Sequence, residues 1–392
     1  MSAPYDIKAL LAALPQPPDY RYDWPALAAL PPIRKLMDGM AQTQQNPAWH
    51  GEGDVLTHTR MVCRELAGLA EFRALADASR QALALAALLH DIGKITCTQL
   101  EDGVLTSPRH GPVGAQQARV MLWTDFGLSG DPCSQQLREA VCHLIRYHTQ
   151  PLHLYQRKRA DTRARQLAAI GQNAPAFSLR ALCLLSEADM RGRIADDTPE
   201  NLETIGLTRL LAEESGCLNG PYPFRSAHTA RALFAGGNVW ADQELYDDTW
   251  GEVTLLCGLP GTGKDTWIAA NAPDLPTVCL DDIRRSLHLS PEDNQGRVVQ
   301  AARERARGFL RQHQPFILNA THVTSQRSQW ITLCEQYGAR VRVLWLETAW
   351  EENLRRNAAR PSSVPEAVIG RMLEKLEPPL PGDAERVDWV CV

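Results

Sequence analysis

The stretch Gly258-Leu-Pro-Gly-Thr-Gly-Lys264 has residue types and spacing that can cradle a chain of phosphates. Glycines at Gly258, Gly261 and Gly263 let backbone N–H groups curl round phosphate oxygens, and a helix opening there adds partial positive charge. Lys264 reaches the β- and γ-phosphates of ATP, with Thr262 also in the nucleotide-contacting loop. The position after the lysine is irregular. It holds Asp265, where a hydroxyl normally meets Mg²⁺, and the hydroxyl comes one later, at Thr266. A carboxylate binds Mg²⁺ directly or through water, so Asp265 is expected on the metal side and Thr266 on a phosphate. The plainer alternative is a carboxylate that favours the start of the helix.

Polar residues recur downstream at points where short apolar runs end. Asp281 follows such a run and can accept a proton from an attacking hydroxyl. Arg284, one helical turn on, can hold an acceptor phosphate. Thr321 follows the next run, with Arg327 beyond. Arg356 and Arg360 are spaced i, i+4, so a helix would put both guanidinium groups on one face. Such a pair suits a lid that stabilises transferred charge.

A second constellation lies far upstream. Leu88-Leu-His90-Asp91-Ile-Gly-Lys94 ends an apolar helix, with His58 before it and Asp189 after it. Imidazole and carboxylate together suit a divalent transition metal such as Mn²⁺, Ni²⁺ or Co²⁺. A metal there would lower the pKa of a water molecule and polarise a phosphate.

The elements that must position these residues differ between the two halves. From about Asp54 the pattern is helical. Val55, Thr59, Val62, Cys63 and Leu66 share one face, Gln81 to Leu89 is apolar, and Leu137–Tyr147 and Leu179–Met190 continue the style. Asp54 reads as a helix N-cap. From Glu252 the apolar runs Val253–Cys257, Thr277–Leu280, Phe316–Leu318 and Val341–Leu346 alternate with helices, the pattern of a parallel sheet covered on both faces. One helix is expected to start at Ser290 as N-cap, with Pro291 in its first turn and Asp293 three residues on. The expected organisation is multidomain: an N-terminal extension (1–48) packed on an all-α domain (49–215), a linker or docking segment (216–250), and an α/β domain with a parallel sheet (251–392).

Gly-x-Pro-Gly-x-Gly-Lys264, Asp281-Asp-x-Arg284, Thr321 and Arg356-Asn-x-x-Arg360 together resemble the 5′-hydroxyl polynucleotide kinase family over about residues 252–376. The resemblance implies that Asp281 is the general base, that Arg284 holds the phosphate beside the acceptor 5′-OH, and that Arg360 contacts ATP. That family has serine after the lysine, so Asp265 departs from it. His58, His90-Asp91 and Asp189 resemble the metal-binding pattern of the HD superfamily of phosphohydrolases over about residues 50–195. This implies Lys94 on a substrate phosphate. It also implies a second metal held by His110 and His148, with His143 the competitor for His148. The succession of the two is similar to the bacterial bifunctional HD-domain polynucleotide kinases. That implies phosphorylation of 5′-OH ends with ATP and Mg²⁺, hydrolysis of 2′-phosphate or 2′,3′-cyclic phosphate ends, RNA or DNA ends as substrates, and a downstream polynucleotide ligase as partner. Two other readings are a small-molecule or nucleotide kinase fused to a nucleotide phosphohydrolase, and a kinase carrying a non-catalytic helical scaffold.

Composition narrows the class. A net charge of −5 does not mark the whole surface for nucleic acid, although six lysines against 35 arginines favour the bidentate fork that suits phosphates. The longest apolar run, Ala82–Leu89, is far short of a membrane span. Ten cysteines contain no C-x-x-C pair, which argues against a zinc ribbon and fits small core residues in a reducing cytoplasm.

Overall fold

The computed structural model describes residues 5–290, 292–320, 324–360 and 362–392. Pro291 and Thr321 lie outside them. The chain divides into two compact units, Met1–Ser129 with Cys133–Tyr222, and Gly130–Pro132 with Pro223–Val392.

The first unit is helical apart from a small antiparallel hairpin, β1 (Gln99–Glu101) and β2 (Val104–Thr106). At its centre the Leu179–Arg191 helix packs against the Val55–Gly68, Asp77–Leu89 and Thr198–Glu214 helices. The Asp77–Leu89 helix is buried over every residue from Ala82 to Leu89, as an apolar helix with no polar face must be. Each leucine fully buried there contributes about 1.5–3 kcal/mol. Asp54 caps the Val55–Gly68 helix by accepting from Thr57 N–H at 2.9 Å. Residues before 48 belong to this same core, with Leu10, Leu27, Ile33 and Met40 fully buried.

The second unit is a five-stranded parallel sheet in the order β4-β5-β3-β6-β7, with β3 (Glu252–Cys257), β4 (Thr277–Cys279), β5 (Ile317–Asn319), β6 (Arg340–Glu347) and β7 (Arg386–Cys391). From β3 the chain runs first to β4 and β5 on one side, then to β6 and β7 on the other. The crevice beyond the C-terminal end of β3 is therefore a topological switch point, where such sheets bind ligands. Leu256, Ile317, Leu344 and Leu346 form the core beneath it, covered by Trp267 and Ile268. The final strand β7 has no counterpart in the sequence expectation. Its burial is partial along its length, so it lacks the continuous apolar run that marks β3 and β6.

The helix expected from Ser290 begins instead at Gly296 and runs to Arg311. Local side chains take the backbone donors that a helix would have used. Asp293 accepts from Ser290 N–H at 2.6 Å and Asn294 accepts from Gly296 N–H at 2.9 Å. Short polar side chains that bond nearby backbone compete with helix in this way. Residues 223–250 carry a helix, Ala227–Phe234, and fold against the second unit, with Arg231 on Glu335 at 2.6 Å and Trp250 Nε1 donating to Tyr337 O at 2.8 Å. Among the described residues no helix is long and apolar enough to cross a membrane.

Candidate active sites

In the helical unit His58 comes from the Val55–Gly68 helix, His90 and Asp91 from the turn ending the Asp77–Leu89 helix, and Asp189 from the last turn of the Leu179–Arg191 helix. His110 opens the His110–Thr124 helix, and His148 follows the Pro132–Tyr147 helix. Gly93 explains how these elements come so close. A Cβ there would meet His110 O at 2.1 Å, so only glycine lets the turn bearing Asp91 and Lys94 lie against the start of that helix.

Two sets of ligand atoms result, His58–His90–Asp189 and Asp91–His110–His148. His58 Nε2 lies 3.4 Å from His90 Nε2 and 3.1 Å from Asp189 Oδ1. His110 Nε2 lies 3.2 Å from His148 Nε2. Asp91 stands between the sets. Its Oδ2 is 3.3 Å from His90 Nε2 and its Oδ1 is 3.5 Å from His110 Nε2. His143 is elsewhere, stacked on Tyr147 and edge-on to Phe177, so the structure brings His148 and not His143 to the cluster.

The donor set fits divalent metal. Each ring has its Nδ1 on a fixed acceptor: His90 on Ala87 O at 2.9 Å, His110 on Ser107 O at 2.9 Å, His148 on Ile145 O at 2.7 Å, and His58 on Gly192 O at 3.2 Å. A proton on Nδ1 leaves the Nε2 lone pair facing inward on every ring, the tautomer a ligand needs. Both carboxylate oxygens of Asp91 are buried without a well-directed hydrogen bond, although Lys94 Nζ stands 2.7 Å from Oδ2. Buried anionic oxygens left so ask for a cation. Burial and the neighbouring His110 and His90 push His148 down to about 3, so it is a neutral imidazole. Burial lowers His58 too, but hydrogen bonds to Asp189 and Glu52 outweigh it and raise the ring to about 9. A cation at Nε2 would replace that proton.

In the second unit the loop after β3 wraps as its glycines allow. Gly261 has φ +89°, and a Cβ there would sit 2.7 Å from Asn353 O. Lys264 Nζ donates to Gly258 O and Leu259 O, both at 2.9 Å, and Thr262 Oγ1 donates to Leu259 O. Burial drives the Lys264 ammonium down to about 8; Asp265 opposes the shift and Arg360 adds to it. Asp265 is exposed and accepts from Asn319 Nδ2 at 2.7 Å, while Thr266 beside it is exposed. Asp281, at the C-terminal end of β4, is ion-paired with Arg284, whose Nε also donates to Gln295 at 2.7 Å. Arg356 bonds Glu352 at 2.6 Å, and its Nη1 flanks Gly263.

Residues 55–184 match the HD domain family, and residues 253–379 match a family described as an AAA domain. This chain joins an HD domain to a P-loop kinase-like domain. The two domains together support an enzyme that joins a phosphohydrolase module to a kinase-like one; the P-loop implies ATP and Mg²⁺, and the His/Asp sets can hold divalent metal.

One residue expected at the kinase crevice is placed differently. Arg327 is buried, with Nη1 on Glu377 O at 3.2 Å and Nη2 3.4 Å from Asp383. These bonds hold the segment before β7 and do not aim the guanidinium at open solvent. Sequence reasoning missed other residues. Asn353 Nδ2 donates to Pro260 O at 2.9 Å and pins the phosphate loop, and Asn319 holds Asp265. In the HD domain, Gln45 Oε1 accepts from Lys94 Nζ at 2.7 Å and Glu52 lies 2.9 Å from His58 Nδ1. Asn319 was visible as the polar end of an apolar run at the crevice, though not its bond to Asp265, whereas Asn353, between Glu352 and Leu354 in a charged helix, carried no signal. Glu52 and Gln45 sit in a polar connection where nothing distinguishes them.

Proposed function

We propose that this chain is a bifunctional nucleic-acid end-healing enzyme. Its kinase-like domain phosphorylates 5′-OH polynucleotide ends, and its HD domain hydrolyses 2′-phosphate or 2′,3′-cyclic phosphate RNA ends. The observation that supports this best is the joint presence of a base–arginine pair, Asp281 with Arg284, at the phosphate-loop crevice and a two-set metal pocket in one chain. The first suits a hydroxyl lying next to another phosphate, and the second suits a phosphate ester. A polynucleotide end offers both.

In the kinase reaction ATP supplies the transferred phosphate. Lys264 exchanges its bonds to Gly258 and Leu259 for phosphate oxygens, and Asp281 takes the proton of the attacking hydroxyl. Arg284 leaves Asp281 to hold the neighbouring phosphate of the acceptor. Arg356 and Arg360 neutralise the transferred group. Asp265, held by Asn319, would serve the Mg²⁺ side. In the HD domain His58, His90, Asp189 and Asp91 would hold one metal, and Asp91, His110 and His148 would hold a second. Metal there would supply polarisation of the phosphate and activation of water. Lys94 orients a phosphate oxygen beside Asp91. The ends produced are those a polynucleotide ligase joins.

The test is transfer of labelled phosphate from ATP to a 5′-OH oligonucleotide, run beside gluconate and nucleosides. The proposal expects oligonucleotide labelling that Asp281→Ala abolishes. Labelling of a small acceptor with none on the oligonucleotide would instead establish a metabolite kinase.

A further inference from the structure

The connection before the Val55–Gly68 helix contributes a third group of potential ligand atoms, His50, Glu52 and His58, which touches the HD centre. The Glu52 side chain is almost wholly buried, yet three N–H-bearing nitrogens lie within 3 Å of its carboxylate. Its Oε1 lies 2.8 Å from His50 Nδ1 and 2.9 Å from His58 Nδ1. Its Oε2 accepts the Ile194 N–H at 2.9 Å. The last bond is reciprocated, because Gly51 N–H donates to Ile194 O at 3.0 Å. The connection is thus fastened to the turn that follows Asp189. With three N–H groups converging on it, the carboxylate is satisfied as an acceptor, so this group is a hydrogen-bond relay and not a third cation site.

His58 differs from the other three rings in this respect. His90, His110 and His148 give Nδ1–H to backbone carbonyls of their own chain segment, three residues earlier in each case. Those rings are oriented by the local fold. His58 stands within a helix, where no such carbonyl is free, and relies on groups from elsewhere, Gly192 O and the Glu52 carboxylate. A carboxylate behind an imidazole fixes the tautomer and raises the basicity of the opposite nitrogen.

We infer that Glu52 is a positioning residue of the HD centre, acting through His58 to hold its ring with Nε2 towards the metal pocket. The inference rests on the reading of His58, His90 and Asp189 as metal ligands. Glu52→Gln keeps the shape but offers one accepting oxygen, so either His58 loses the carboxylate behind Nδ1 and keeps only Gly192 O, or Ile194 loses its acceptor. The experiment titrates Co²⁺ into chelator-treated full-length protein, following affinity by calorimetry, ligand field by the visible spectrum, and folding by circular dichroism and melting. Glu52→Gln is expected to bind Co²⁺ about 10- to 100-fold more weakly at one site, with an altered spectrum and an apo melting curve close to that of the parent. Glu52→Asp, with a shorter reach, should fall between the two. Unchanged Co²⁺ affinity and spectrum in Glu52→Gln would overturn the inference. So would a lowered melting temperature with unchanged affinity, which is what a merely structural role produces. A parent protein that binds no Co²⁺ contradicts the metal-centre reading itself.

Discussion

At the HD centre four imidazoles each place Nδ1 on a fixed acceptor and turn Nε2 inward, three of them under nearly complete burial and His110 partly exposed. At the kinase crevice the charged side chains are bonded to one another or to the loop itself: Lys264 to Gly258 and Leu259, Asp281 to Arg284, Arg356 to Glu352. The first centre is preorganised, and its ligands need no rearrangement to meet a cation. The second keeps its charges in exchangeable pairs at a partly exposed rim, and nucleotide and acceptor must replace those partners. Burial decides the difference. Unpaired charge deep in a helical bundle costs too much unless metal offsets it, whereas charge at the rim of a sheet is paired or solvated cheaply.

Substitutions that separate the two centres break this comparison most severely. Lys264→Ala should lower phosphoryl transfer by about 100- to 1000-fold while leaving HD-dependent phosphoesterase activity intact. Asp91→Ala should do the reverse and remove bound metal, read by metal analysis beside the kinase assay. Loss of both activities in either variant would mean that the centres are not independent.

A stability effect sharpens the contrast in burial. Glu139 is buried between Arg119 and Arg138, at 2.9 Å and 2.8 Å. Burial raises its carboxyl, but the two arginines outweigh it and hold it at about 2. A depressed carboxylate contributes stability that is fully present above the unfolded value, near 4.5, and is lost as pH falls towards 2. The HD domain should therefore destabilise through that window in a pH series of thermal melts. Glu139→Gln should cost about 3–5 kcal/mol at neutral pH and flatten the acid dependence.

Arg327→Ala probes placement in the kinase-like domain. Its buried bonds to Glu377 and Asp383 predict a loss of about 1–3 kcal/mol in stability, with KM for acceptor nearly unchanged. A raised KM without destabilisation would return Arg327 to the substrate. The smallest effect is expected at Asn319. Asn319→Ala frees Asp265 without removing it, so the Mg²⁺ concentration for half-maximal activity should rise only a few-fold, about 1 kcal/mol. Asp265→Ala should raise it further, and a flat response to both would leave Asp265 as a helix-start residue.

Much of this was legible in the sequence because it is local or strongly patterned. The apolar run Ala82–Leu89 announces a buried helix ending at His90-Asp91, and each of the four apolar runs from Val253 onwards becomes a strand. Helix spacing puts His143 and His148 on different faces, so only one of them can reach a given pocket, and the preference for His148 came from the resemblance. Relations between distant residues were not legible. Arg327 looks like a crevice arginine until the segment holding Glu377 and Asp383 closes over it. Glu52 and Gln45 gain meaning only when a loop from before the first long helix meets the turn after Asp189. The start of the Gly296–Arg311 helix failed for a local reason, because Asp293 and Asn294 serve a turn as readily as a cap. Strand β7 was missed because half-buried strands carry a weaker pattern than buried ones.

The most direct measurement uses one RNA strand carrying a 5′-OH at one end and a 2′,3′-cyclic phosphate at the other, with ATP, Mg²⁺ and Mn²⁺. The account predicts that the full chain converts both ends. It also predicts that Asp281→Ala leaves only the 5′ end unaltered and Asp91→Ala only the cyclic phosphate. Neither end changing, while gluconate or a free nucleotide is turned over, would contradict it.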